Sequence, residues 1–335
     1  MTRAITIFLL ITLSLPLRSQ TETKKENLFW RTVEWVNRNF VSQDTIYVSP
    51  EKYNLFITPR YTFKDERYRF HSTEGNQIIT LRPNIHNTIG ANFGWRWISV
   101  GYSVALNSHT PEIDIDLGLY TSGLGLELLL NRRSEGYRIE EVEGFGSNTA
   151  DLRGSPFNGF TITQGGAKLT YVFNYRRFSF PAAYSHTRNQ RINAGSFIIG
   201  ATYHQKIFRF DHTKLPEELH NNMHETFKFN ELRYMNISVN GCYSYNWVFA
   251  KDFVANISAT ASVGYKGNEM NTQFRQNINF DLQARAAVVY NNQRYFAGAS
   301  FLAHSFFYNS NTMRLEQDNC TLKVYAGFNF LRRKK

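Results

Sequence analysis

The side chains able to do acid–base, nucleophilic or metal chemistry are few and scattered. His304 and Ser305 are chain neighbours, and on a strand neighbours point to opposite faces, which argues against a Ser–His nucleophile pair. His204, His212, His220 and His224 lack compact ligand spacing. Only His220 and His224, four apart, would share a metal if one helical turn formed between them. Glu140, Glu141, Glu143 and Asp151 crowd a glycine-bearing stretch, 134–159, where hard carboxylates would suit calcium. No Gly-Lys-Ser/Thr occurs, so a phosphate-cradling loop is excluded. The expectation is no metal, no cofactor and no catalytic set. Cys242 and Cys320 fall on opposite strand parities and are expected not to pair.

A second class of polar residue is more orderly. Arg82, His86, Asp114, Asp116, Glu127, Lys168, His204, Lys206, Asp281, Arg285 and Lys323 all sit on the polar parity of alternating runs. If those runs cross a membrane, these charges face a lumen, because Arg or Lys facing lipid near the midplane costs roughly 2–4 kcal/mol. They would then line a polar passage or a binding site, or fill the interior with ion pairs.

The runs that must position them show two-residue periodicity over unusual lengths. From Met235 the odd positions read Met, Ile, Val, Gly, Tyr, Tyr, Trp to Trp247, while the even ones from Asn236 read Asn, Ser, Asn, Cys, Ser, Asn. Similar runs start near Phe253, Ile278 and Leu322. Such alternation gives each strand one apolar and one polar face. Strands in soluble proteins run about 5 or 6 residues; a tilted membrane strand needs roughly 9–11. Aromatic residues make 16% of the chain and gather at run ends, as interfacial girdles require.

Strands are predicted at 53–63, 78–95, 97–107, 112–122, 123–133, 160–175, 194–208, 232–247, 251–266, 274–290, 293–308 and 314–331. The fold class is therefore all-β, a transmembrane antiparallel up-and-down barrel of about 12 strands. On the side carrying both termini the connections are short, except 176–193, read as a periplasmic segment; on the other side they are long, notably 64–77, 134–159 and 209–231.

Met1-Thr2-Arg3 followed by the apolar run Ala4 to Leu17 reads as a secretory signal, 1–19, too short for a stop-transfer helix. Residues 20–52 form a periplasmic N-terminal segment, with Phe29, Val33, Val36 and Phe40 as one helical stripe. The barrel spans 53–331 and a basic tail 332–335. The chain is thus expected in the outer membrane, exported through a cleaved signal peptide. Its net charge of +11 is spread over turns, loops and tail, which excludes a nucleic-acid groove and suits lipid phosphates. The expected partners are outer-membrane lipid, lipopolysaccharide and the barrel-assembly machinery, with any small solute or surface ligand undetermined.

Asp44-Thr45-Ile46-Tyr47-Val48-Ser49-Pro50, and the stretch from Phe178-Ser179-Phe180 through Arg191-Ile192-Asn193-Ala194-Gly195-Ser196-Phe197-Ile198-Ile199-Gly200, resemble a known family. It is the Bacteroidota outer-membrane barrel family catalogued as domain of unknown function 4421. The resemblance covers about Trp30 to the end and implies an outer-membrane, single-domain barrel without an assigned activity. Ser185-His186-Thr187-Arg188-Asn189 also resembles, faintly, the His-x-Ser-Asn element of lipid A deacylases, but Arg188 stands where the nucleophilic Ser belongs. The leading expectation is a non-enzymatic barrel, either a narrow pore for small polar solutes or a structural and surface-interaction protein. The alternative is an outer-membrane lipid-modifying hydrolase.

Overall fold

The computed structural model describes residues 31, 35 and 39–333, apart from 84–85, 107–112, 135, 147–148, 185–187, 268–277 and 310–312. The expected signal peptide lies outside the described residues, as do Phe29, Val33 and Val36. Residues 1–36 form one unit, of which Arg31 and Trp35 are described, both helical. The remainder of the chain forms the other unit, which carries the barrel.

Its strands are β1 (Val48–Ser49), β2 (Tyr53–Ser72), β3 (Gln77–Pro83), β4 (His86–Trp95), β5 (Ile98–Ala105), β6 (Ile113–Tyr120), β7 (Leu124–Ser134), β8 (Tyr137–Glu143), β9 (Pro156–Phe157), β10 (Phe160–Val172), β11 (Asn189–Gln190), β12 (Ala194–Phe210), β13 (Glu231–Ala250), β14 (Phe253–Gly267), β15 (Ile278–Asn291), β16 (Tyr295–Asn309) and β17 (Met313–Arg332). Two short helices, α1 (Phe180–Tyr184) and α2 (Glu217–Asn221), lie in connections. Twelve strands, β2, β4 to β7, β10 and β12 to β17, pair antiparallel around a closed ring, and β17 returns to β2. The closing ladder runs from Arg332 opposite Tyr53 to Met313 opposite Ser72. The predicted twelve-stranded barrel is the fold.

Alternation becomes inside and outside. On β13, Asn236, Ser238 and Asn240 are at most 4% exposed, whereas Ile237 and Val239 are 54% and 63% exposed. Polar groups face in and apolar groups form the outer band. Outward aromatics border that band, with Tyr243, Trp247, Phe253 and Tyr295 at one end and Tyr203, Tyr265, Phe280 and Phe307 at the other. The first end carries both barrel termini and the tight turns, which makes it the periplasmic end of such a barrel. Three of those turns use left-handed backbone, at Arg96, Asp252 and Gln293. In the last, Asn292 Oδ1 accepts from the Arg294 and Tyr295 amides, so the side chain stands in for the missing backbone acceptor.

The structure corrects three sequence expectations. The stretch 64–77 is not a loop, since β2 continues to Ser72 and forms a hairpin with β3. The run 78–95 is two strands: β2 pairs Tyr68 with Leu81, but Lys64 with His86, a slip of one residue. Because side chains alternate with period two, that slip reverses the faces of β3 relative to β4. The stretch 134–159 also carries strands, as β8 pairs with β3 and β9 with β8. Together β3, β8 and β9 extend the extracellular end beyond the tops of β4, β5 and β6.

Candidate functional site

The extracellular end is closed from within. Tyr68 and Phe70 of β2, Ile79 and Leu81 of β3, Tyr137 and Ile139 of β8, Phe160 of β10, and Phe208 and Phe210 of β12 are all nearly fully buried in one cluster. The Phe160 ring lies 4.7 Å from Tyr137 and 5.6 Å from Phe70, centroid to centroid, both edge to face. The β3 slip is what turns Ile79 and Leu81 inward to join these rings. The 211–230 connection then lays Leu215, Leu219, Met223 and Phe227 over the cluster. Gln77 pins it, donating to the Asn222 carbonyl at 2.7 Å and accepting from the His224 amide at 2.9 Å. Each fully buried large apolar side chain contributes about 1.5–3 kcal/mol, so this end is a packed core.

The periplasmic end is closed by polar contacts. The 176–193 connection, expected to lie in the periplasm, instead turns α1 up against β14 and β15. Phe178, Ala182 and Ala183 are buried, and Tyr184 Oη donates to Asn256 Oδ1 at 2.6 Å. Beneath it β1 pairs with β11, Val48 opposite Gln190 and Ser49 opposite Asn189. Gln190 is almost wholly buried and fully engaged. Its Oε1 accepts from the Ser179 amide and Asn246 Nδ2, and its Nε2 donates to the carbonyls of Arg177 and Ile192. Arg188 donates to Glu51 at 2.9 Å, and also to Gln43 and Ser122. Glu51 in turn accepts from Arg333, so the basic tail is tied into the same closure.

Between the closures lies a charged interior. Arg60 of β2 pairs with Asp116 of β6 and donates to Ser103. Lys64 pairs with Asp114 at 2.7 Å. Glu127 of β7 stands opposite Lys168 of β10. Lys206 donates to Gln317 at 2.6 Å and covers the Phe306 ring. Asp281 is buried, and its Oδ1 has no hydrogen-bond partner among the described residues. Arg285 lies over the Tyr184 ring of α1 at 5.7 Å. A cavity of about 210 Å³ runs among Arg60, Asp116, Tyr120, Glu127, Tyr184 and Lys323.

Asp114, Asp116, Glu127, Lys168, His204, Lys206, Asp281, Arg285 and Lys323 thus share the inner face. The side chain of His86 lies outside the described residues; its backbone pairs with Lys64. Arg82 is a correction. The β3 slip places it on the outer wall, where it bonds Asp65 at 2.8 Å and Glu140 at 3.3 Å. Arg67 joins the same outer group through Glu140. Hydrogen bonds to Glu140 and to Asp65 hold the Arg67 and Arg82 guanidinium groups, respectively, above their ordinary range.

The scattered chemistry stays scattered. His304 faces inward and Ser305 outward, where Ser305 Oγ donates to Asp318 at 2.7 Å. Ser185 and His186 lie outside the described residues. His220 stacks on His212, ring centroids 5.5 Å apart, rather than meeting His224, which caps its own turn by accepting from the Thr226 amide. Glu140 is engaged by arginines and Glu141 accepts from Thr80. Cys242 and Cys320 are free. Sequence reasoning did not single out Arg60 or Lys64, although their even parity with Thr58 and Thr62 marks them as inward. It also missed Gln190 and α1, which have no periodicity to betray them.

None of the curated proteins matches this chain in sequence. Among solved structures, it is similar to a bacterial polysaccharide outer membrane secretin, at 12% identity and TM-score 0.34, covering 84% of this chain and 100% of that one. It is similar to the outer membrane protease OmpT from Escherichia coli, at 10% and 0.34, covering 86% and 100%. A third is the translocator domain of the autotransporter NalP from Neisseria meningitidis, at 11% and 0.37, covering 90% and 94%. Likenesses this slight say nothing about activity. The family model described as Domain of unknown function (DUF4421) matches residues 42–330, nearly the whole described barrel with its N-terminal closure, and the chain belongs to that family.

Proposed function

We propose that this protein is a closed, non-conducting outer-membrane barrel whose working surface is its extracellular cap, a structural and surface-interaction role rather than that of an open pore. The reading rests on the aromatic core inside the extracellular end, where Tyr68, Phe70, Tyr137, Phe160, Phe208 and Phe210 occupy the space a channel would need. A core of that density resists opening, because each large ring removed from it costs about 3–5 kcal/mol. The polar closure at the periplasmic end adds a second barrier.

Proteoliposome swelling tests this reading. Vesicles carrying the folded barrel, placed in isotonic arabinose or glycine, are expected to swell no faster than protein-free vesicles. Rapid swelling would overturn the closed-barrel reading and restore the narrow pore.

A further inference from the structure

We propose that the periplasmic rim of the barrel is a binding surface for anionic phospholipid, which it holds by the headgroup phosphates of the inner leaflet. This goes beyond the role of the cap, since it concerns the opposite end of the molecule.

Unpaired positive charge collects at that end. Lys52 and Arg332 flank the start of the closing ladder, and Arg176, Arg177 and Arg191 lie on the 176–193 connection. Lys251 and Arg294 sit in the β13–β14 and β15–β16 turns. All seven are exposed, and among the described residues none of them makes an ion pair. The carboxylates described at this end are Asp44, Glu51 and Asp252, and each is engaged. Glu51 is buried between Arg188 and Arg333, Asp252 accepts from Asn189 at 3.1 Å, and Asp44 accepts from the Ile46 amide at 2.9 Å. The extracellular end is built the other way. There Arg67, Arg82, Arg209, Arg233, Lys214 and Lys228 each meet a carboxylate.

The placement selects the partner. Of the tight turns at this end, only that between β6 and β7 carries no cation. The turn cations stand beside the outward aromatics that mark the lipid boundary. Arg294 precedes Tyr295, and Lys251 lies between Phe249 and Phe253, all three rings being exposed. The guanidinium groups of Arg96 and Arg294 lie over the rings of Trp95 and Tyr295 at 5.1 and 5.6 Å, so ring and cation share the headgroup level. Lys and Arg there lay their methylenes along apolar surface and present the charge to lipid phosphates. A guanidinium also offers parallel donors that match two oxygens of a phosphate. Cations set around the circumference meet the surrounding leaflet, whereas a wall polymer crossing the periplasmic face would be met by a stripe across it. The charge that composition alone offers to lipopolysaccharide is thus presented to the opposite leaflet.

The test reads tryptophan emission from the protein folded into phosphatidylcholine vesicles that contain phosphatidylglycerol. With Trp30→Phe and Trp35→Phe in every sample, the remaining tryptophans are Trp95, Trp97 and Trp247, all at the periplasmic end. Quenching by phosphatidylglycerol brominated high on its acyl chains is compared with quenching by phosphatidylcholine brominated likewise, at one lipid ratio. The expected result is a preference of about twofold to fivefold for phosphatidylglycerol at low salt. It should fall toward one in about 1 M sodium chloride, where the screening length is about 3 Å. That salt arm needs no further substitution. Combined Lys251→Gln, Arg294→Gln and Arg332→Gln should remove at least half of the preference. Arg209→Gln with Arg233→Gln, at the extracellular end, should leave it unchanged. Equal quenching by the two lipids at low salt, or a preference unmoved by salt or by the triple substitution, would overturn the proposal. Equal quenching together with cosedimentation on peptidoglycan sacculi, lost in the triple variant, would overturn it and assign the face to the cell wall. Conductance and swelling do not enter these readouts, so the closed-barrel reading stands or falls separately.

Discussion

Arg188 donates to Glu51 at 2.9 Å across 137 residues of chain, with both side chains under 10% exposed. The contact joins the segment before the first barrel strand to the connection after β10, and through Arg333 it reaches the end of the last strand. The periplasmic closure is therefore one unit assembled from three distant parts of the sequence.

Arg188→Met should break that unit. Removing one partner of a buried ion pair strands the other, at a cost of about 3–5 kcal/mol. The expected outcome is a lower unfolding temperature together with faster proteolysis of 176–193 from the periplasmic side. Glu51→Gln should show the same pattern in milder form, because the neutral amide would still accept a hydrogen bond.

Phe160→Ala should be among the most damaging substitutions at the other end. Its ring meets those of Tyr68, Phe70, Tyr137 and Phe208, and loss of a buried Phe costs about 3–5 kcal/mol. Urea titration of the folded barrel measures it. A loss below about 1 kcal/mol would mean the cluster is loosely packed.

Arg82→Ala should do little. Its ion pairs with Asp65 and Glu140 are about 40% exposed on the Arg82 side, and such pairs contribute about 0–1 kcal/mol. Urea titration should place the variant within about 1 kcal/mol of the wild type, and a loss of about 3 kcal/mol or more would mean that the pair is buried rather than on the outer wall.

The extracellular end of the β12–β13 ladder should loosen in acid. Hydrogen bonds from Arg233, and then from Arg209, hold the Glu231 carboxyl below its ordinary value of 4.5. A depressed carboxylate pKa contributes stability that is complete above the unfolded value and is lost as pH falls through the folded one. Amide exchange at Arg209 and Arg233, corrected for intrinsic rates, should therefore speed up below about pH 4.5. Glu231→Gln should flatten that dependence.

Much of the barrel was legible because alternation is a local signal. Asn236 to Trp247 declares its two faces without reference to any other strand, and the aromatic run ends mark where lipid gives way to water. The inward charges followed from the same parity. Arg82 escaped it because a one-residue slip between β3 and β4 is invisible in a run that still alternates on either side. Both closures escaped as well. Phe70, Phe160 and Phe210 look like ordinary strand residues until the ring closes and brings them together, and Gln190 and Arg188 are tied into the barrel by partners more than 50 residues away. Long-range pairing, rather than composition, decides whether a barrel of this size is open or filled.

The sharpest test of closure is single-channel recording of the folded barrel in a planar lipid bilayer. The wild-type protein should insert and give no resolved current steps over a wide voltage range, while Arg188→Met, with its periplasmic closure broken, should still not conduct because the aromatic core remains. Stable, reproducible steps from the wild-type barrel would contradict the account and show that its interior is a passage.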